Sequence, residues 1–296
     1  MTNRFQIPAF ALLLAVSILL CWPFLAATFH LALTDDAYTH ILLIVPLSAG
    51  LIYFDSKERH SKLSAGDRRP SLRVGVTMLL LALAMVGFAR WAMVGDHDDL
   101  RIVLGMLALV IWWAASVILC FGIQTFRSLL FPLCFLLLIV PLPQSTVDSI
   151  VKFLQYQSAV AARIMFHLGG VPVTQDGIML SIPDLDIEVA RECSSIRSSL
   201  MLMVTTLVLA QLFLRTWWKK LLVVAAAVPL SVLKNGFRIF VIAELGTRVD
   251  AGFLTGRLHH HGGIVFFGLA VVLECVLLFL MQRTETPVLE ERSATR

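Results

Sequence analysis

The sequence predicts an all-α polytopic integral membrane bundle of about eight transmembrane helices, with a small extracytoplasmic segment that contains short β-strands. Three observations predict it. Hydrophobic residues make up 58% of the 296 residues and charged ones 15%, where a soluble domain would carry about 25% charged. Mean hydropathy is +0.84. Apolar stretches of spanning length, roughly 20 residues, recur eight times. The net charge of +4 is small and spread over loops, which suits a membrane surface and gives no basic stripe for nucleic acid.

The stretches run from about Ile7 to Phe29, Ile41 to Phe54, Val74 to Met93 and Ile102 to Phe121. A short fifth, about Leu129 to Val140, closes at Pro141-Leu142-Pro143, and three more cover about Ile196 to Leu214, Leu221 to Ile242 and Ile264 to Met281. The first is too long for a signal peptide and lacks a small-residue cleavage site, so it reads as a retained span. Lysines and arginines near span ends set the orientation. Lys57, Arg59, Lys62, Arg68, Arg69 and Arg73 put the loop after the second span in the cytoplasm, and alternation adds Arg4, Arg127, Arg215 to Lys220 and Arg283 to that side. The opposite loops, with Asp35-Asp36 and Asp96-His97-Asp98-Asp99, are acidic. Both termini are expected in the cytoplasm.

Residues 1–283 read as one polytopic membrane domain and 284–296 as a polar cytoplasmic tail, expected to be disordered. The extracytoplasmic segment, about 143–193, separates the fifth and sixth spans. From about Val147 to Leu168 it is apolar at helical spacing, as in a helix lying in the outer interface or covering a cleft. Gly169-Gly170 ends that helix. Val171-Pro172-Val173 and Gly177 to Ile182 read as β-type runs around a turn at Asp176-Gly177, and Ile187-Glu188-Val189 leads toward Cys193. There is no internal repeat of the kind many transporters carry.

Three polar stretches stand at the edges of apolar spans: Glu192-Cys193-Ser194-Ser195-Ile196, Lys234-Asn235-Gly236-Phe237-Arg238 and His259-His260-His261-Gly262-Gly263. The predicted topology brings all three to the outer face. Cys21, Cys120, Cys134 and Cys275 lie in apolar runs, where a thiol packs as a small hydrophobe. Cys193 does not. No cysteine spacing implies a disulfide framework or zinc site, and no cofactor is implied.

A thiol, a guanidinium and an imidazole suffice for nucleophilic acyl chemistry. A nearby cation or the start of the helix at Ser194 could favour the Cys193 thiolate. Arg238 could stabilise an oxyanion or hold a substrate carboxylate, and one of the histidines could move the proton. Each also fits a simpler reading: a buried structural cysteine, a snorkelling arginine, and an exposed polar cap on the last span. Asp35 to His40 on the same face either adds substrate contacts or is a polar loop end. Glu244, Arg248 and Arg257 bind a charged partner segment or are solvated.

At these residues the chain resembles the exosortase/archaeosortase family of membrane cysteine transpeptidases. Tyr38-Thr39-His40 with Pro46 and Leu47 resembles the family's early Tyr-Ser-His-Gly and Val-Pro-Leu stretches, with Ile41 in place of the glycine. Pro141-Leu142-Pro143, Gly170 to Val173 and Gly177 are similar to its middle region. Cys193-Ser194-Ser195-Ile196-Arg197-Ser198 resembles its Cys-Ser-Gly-Ile-Arg-Ser motif, with Ser195 replacing glycine, and Asn235-Gly236-Phe237-Arg238-Ile239 its Asn-x-x-Arg-Ile motif. His259 takes the place of the family histidine, with His260 or His261 as alternatives.

The resemblance implies a multi-pass protein of the cell inner membrane whose active site lies on the extracytoplasmic face. Its substrates would be membrane-anchored exported proteins with a C-terminal PEP-CTERM sorting signal. Cys193 would be the nucleophile, Arg238 the oxyanion stabiliser and His259 the general acid and base. His40, Asn235 and Arg197 are the candidates for substrate binding. The acyl acceptor is unknown; with water the enzyme is a protease, with an amine or lipid group a transpeptidase. The alternative is a non-catalytic transporter or exopolysaccharide-assembly component in which Cys193 is incidental. No Gly-x-Ser-x-Gly or His-Glu-x-x-His occurs, which disfavours rhomboid-like and metal-dependent proteolysis.

Overall fold

The computed structural model describes residues 5–59, 71–91, 98–183, 185–189, 196–255 and 257–285, with backbone alone at 55–59, 255 and 257–262. The chain divides into two compact units, Met1–Val147 and Asp148–Arg296.

In the first unit, α1 (Gln6–Thr34), α2 (Ile41–Arg59), α3 (Leu72–Trp91) and α4 (Asp98–Phe121) are the long helices. Helix α4 packs on α1 and α3, and small residues let it approach closely. A Cβ on Gly105 would lie 2.2 Å from the Phe24 ring, and one on Gly75 of α3 would lie 2.5 Å from Leu119. Indole N–H groups are satisfied across the contact: Trp112 donates to the Leu13 carbonyl at 3.0 Å and Trp113 to Ser17 Oγ at 2.9 Å. After a short α5 (Ile123–Ser128), the expected fifth span, about Leu129 to Val140, is broken into α6 (Leu130–Phe135) and a 3-10 turn, Leu136–Ile139. Pro141 and Pro143 supply no N–H to continue a helix, so the chain bends sharply before α7 (Gln144–Leu168).

In the second unit, α7 is amphipathic. Val151, Leu154, Ser158, Ala162 and Phe166 are buried at three- and four-residue spacing, while Phe153, Tyr156 and Ile164 stay exposed. Gly170, at φ 73°, lies just beyond its end. An antiparallel sheet follows: β1 (Thr174–Asp176), β2 (Met179–Ile182) and β3 (Leu185–Glu188), in the order β1-β2-β3. The first strand lies at Thr174–Asp176, later than the Val171-Pro172-Val173 run, because Pro172 has no N–H for a ladder. The turn between β1 and β2 is at Asp176-Gly177 as expected, with Gly177 at φ 59°, the left-handed region that glycine enters freely.

Helices α8 (Ile196–Phe213), α9 (Trp217–Arg248), the short α10 (Gly252–Thr255) and α11 (Arg257–Arg283) complete this unit. One core joins α7 (Ala159, Ala162, Phe166), the sheet (Leu180, Ile182) and α9 (Ile239, Ala243). Helices α8, α9 and α11 pack in two further apolar layers, Leu202-Ala227-Ala270 and Ala210-Val223-Leu278. Between those layers lie Thr206 of α8 and Glu274 of α11, 0% and 1% exposed. Neither the Thr206 hydroxyl nor either Glu274 oxygen has a partner among the described residues.

Seven of these helices, α1 to α4, α8, α9 and α11, are long and apolar enough to cross a membrane. The bent pair Leu130–Ile139 with Gln144–Leu168 would make an eighth crossing. The protein is therefore a polytopic helical membrane protein with a small sheet. The cysteines divide differently from expectation: Cys21 and Cys120 are buried, but Cys134 and Cys275 are exposed. A spanning helix presents apolar residues to lipid as readily as to protein, so an apolar run does not imply a buried thiol.

Candidate active site

Of the predicted site residues, Cys193 lies in 190–195, outside the described residues. His259, His260 and His261 belong to the first turns of α11, where only the backbone is described. The chain on either side of Cys193 is defined. Strand β3 precedes it, and α8 begins three residues after it with Ile196.

Helix α9 carries the cations of the candidate site. Its motif Lys234-Asn235-Gly236-Phe237-Arg238 stands where α9 crosses α7. Gly236 is required there, since a Cβ would lie 2.6 Å from Ala161 Cβ and 2.9 Å from the Ala162 nitrogen. That close approach buries Asn235, at 1% exposure, and Lys234. Lys234 Nζ donates to Ser198 Oγ on the first turn of α8, and Ser199 and Ser231 hydroxyls meet at 2.5 Å. The two helices are thus tied by polar contacts beside the segment that carries Cys193. No carboxylate pairs with Lys234 among the described residues. Arg238 follows one turn later on the same side.

Arg238 lines a cleft of about 230 Å³ in the second unit. One wall is β3, contributing Leu185, Asp186, Ile187 and Glu188; the other is Arg238, Ile239, Ile242 and Ala243 of α9, with Leu254 of α10. The cleft therefore sets a guanidinium against the strand that leads to the candidate nucleophile. Arg197 is exposed on the first turn of α8.

The remaining candidates are committed locally. In the first unit, His40 Nδ1 lies 3.2 Å from the Ala37 carbonyl, and the Ala37 N–H donates to Asp35 Oδ1 at 2.8 Å. Tyr38 donates its hydroxyl to the Leu142 carbonyl at 2.8 Å. These contacts fold the 35–40 stretch onto itself and onto the Pro-Leu-Pro bend. Glu244 and Arg248 pair with each other at 2.9 Å along α9.

The family model of transmembrane exosortases matches residues 30–276. The chain belongs to the transmembrane exosortase family. Neither a curated protein nor a solved structure matches it. The matched stretch of this exosortase contains all three motif segments around Cys193, Arg238 and His259.

Two features, one at the candidate site and one away from it, were not singled out from sequence. Ser198, within the nucleophile motif, proves to be the partner of buried Lys234. A hydroxyl and an amine 36 residues apart give no sequence signal of contact. Glu274 could have been found, since an ionisable residue in mid-span is a functional candidate by default.

Proposed function

We propose that this exosortase is a cysteine transpeptidase or protease acting at the outer face of the cell inner membrane, with both termini in the cytoplasm. Its substrates are membrane-anchored exported proteins with a C-terminal PEP-CTERM-type sorting signal. The observation that carries the reading is the placing of two cations one turn apart on α9, with Arg238 in the cleft. Lys234 is buried with no carboxylate partner among the described residues, and Arg238 faces the strand that leads to Cys193. Positive charge held this way is suited to a negative group that forms during acyl transfer.

In the first step the Cys193 thiolate attacks the scissile carbonyl carbon. A carbon–sulfur bond forms, and the carbonyl electrons move onto an oxyanion stabilised by Arg238. Collapse of that intermediate breaks the carbon–nitrogen bond, and His259 gives its proton to the leaving amine, releasing the anchor span. The thioester is then attacked by an acceptor amine, hydroxyl or water, which loses its proton to His259 as the carbon–sulfur bond breaks and the thiolate returns. Neighbouring cations also favour the thiolate before attack.

The test is processing of a co-expressed reporter carrying a Pro-Glu-Pro-type C-terminal signal, by wild type and by Cys193→Ala at equal membrane levels. Processing by wild type alone is expected. Equal processing by Cys193→Ala would remove Cys193 as nucleophile, and mass spectrometry of the new C-terminus separates hydrolysis from transfer. Glu274 favours a second reading, a transporter or assembly component, because a buried mid-span carboxyl is what such a protein would use. On that reading Glu274→Gln abolishes function; on the transpeptidase reading it leaves processing intact.

A further inference from the structure

Strand β3 is, with β1, an edge strand of its three-stranded sheet among the described residues. Its pairing with β2 sets Leu185 opposite Ile182 and Ile187 opposite Leu180. In the same series, the Val189 N–H donates to the Ile178 carbonyl at 3.0 Å. Hydrogen-bonded pairs alternate along an antiparallel ladder. Residues 185, 187 and 189 therefore turn their backbone groups toward β2, and Asp186 and Glu188 turn theirs to the open edge. No hydrogen bond engages those outward N–H and C=O groups among the described residues.

The cleft beside Arg238 runs along this edge. A cleft on one face of a strand would meet only alternate residues, yet four consecutive residues, Leu185 to Glu188, line it. Apart from the Arg238 guanidinium, the facing wall of Ile239, Ile242 and Ala243 is apolar, and no hydrogen bond from it to the open backbone groups occurs among the described residues. Unpaired strand edges are templates for another strand. What complements an open edge on one side and an apolar wall on the other is an extended peptide.

We infer that the cleft binds its substrate as an added β-strand, an extended peptide hydrogen-bonded to the backbone of Asp186 and Glu188 and running past Arg238. Which peptide it is rests on the transpeptidase reading; the mode of docking rests on the edge itself. Four residues of strand span about 13 Å, enough to pair every second residue of a short segment and to aim alternate side chains at α9. Recognition through backbone groups leaves side-chain tolerance broad. It holds the scissile chain extended for a nucleophile carried on the segment that continues β3.

The experiment uses the full-length protein in lipid nanodiscs, carrying Cys193→Ala so that no bond is cut. A fluorescent peptide containing a Pro-Glu-Pro segment and its flanks is titrated by anisotropy. The same peptide is then N-methylated at one non-proline backbone nitrogen at a time. Strand addition expects affinity to fall about fivefold or more where a paired N–H is lost, at every second position, with little change between. Asp186→Pro and Glu188→Pro, each removing one outward N–H, weaken the unmethylated peptide by a similar factor; Asp186→Ala and Glu188→Ala, which keep the backbone, do not. Should the proline variants fail to fold, the methylation profile decides. No binding, or a profile without alternation, overturns the inference. So does a dimer that the proline variants dissociate without changing peptide affinity, since the edge then serves a second copy. Cys193-dependent reporter processing together with a flat profile would sink the docking mode and leave the enzyme reading standing.

Discussion

Two lysines of α9 are equally withdrawn from solvent, Lys219 at 6% and Lys234 at 7% exposure, yet they keep opposite company. At the Trp217 end, Lys219 Nζ lies 3.9 Å from Glu285 Oε1 and donates to Thr284 Oγ1 at 2.8 Å. The same carboxylate accepts the backbone N–H groups of Arg215 at 3.0 Å and Thr216 at 2.9 Å, which caps the start of the helix. In the other half, Lys234 has a serine hydroxyl, and one turn away stands a second cation, Arg238. Taking a charge out of water costs several kcal/mol unless a partner offsets it. The first lysine has its carboxylate within the fold; the second has none among the described residues and, on the proposed reading, serves a negative group that develops beside it.

The sharpest way to break this contrast is Arg238→Ala. Processing of the reporter should fall by roughly a hundred- to a thousandfold at unchanged membrane levels, and Arg238→Lys should recover little of it, because a point charge does not reproduce a planar fork of donors. A comparable loss with Lys219→Met would erase the distinction between the two ends.

Next in size is the exchange of Lys234 and Lys219 for methionine. Lys234→Met should cut processing about tenfold, the scale of one lost stabilising interaction, and keep or raise the thermal unfolding midpoint, because it replaces a buried ammonium that no described carboxylate offsets with packing atoms. Lys219→Met should do the reverse, lowering the midpoint and sparing the processing rate per folded molecule. The smallest effect is a pH dependence. Burial pushes the Glu285 carboxyl up, but the backbone donors at Arg215 and Thr216, with Thr216 and Lys219, outweigh it and hold it at about 2. Because that folded value is depressed, its stabilisation is complete above the ordinary glutamate value of about 4.3 and is lost as pH falls toward 2. Thermal melts of wild type and Glu285→Gln should converge across that window and separate above it.

The spans were legible because a window of apolar residues long enough to cross a bilayer has few other uses. The end of α7 at Gly169-Gly170 and the hairpin turn at Gly177 were legible because glycine marks backbone that other residues resist. The fifth span was read as one stretch, since hydropathy ignores whether each residue has an N–H to give, and the bend at Pro141 and Pro143 turns on that. Hydropathy is equally blind to which side of a helix meets lipid, and Cys134 and Cys275 came out on the exposed side. Within the site, Arg238 and its motif announced themselves by charge at a span edge. The β3 edge and the Ser198 contact are products of tertiary packing, and no spacing in the chain encodes them.

The cap on α9 also orders events during synthesis. Thr216 and Glu285 are separated by 69 residues, a stretch that includes the rest of α9 and all of α10 and α11. A nascent chain that has just delivered α9 to the bilayer leaves Lys219 and the amides of Arg215 and Thr216 without their carboxylate. They acquire it only once the last helix has been threaded and its end has reached the same membrane face. The second unit is thereby latched by the arrival of its final helix, and a chain stalled between the two would hold the Arg238 motif on a helix whose start is not yet fastened.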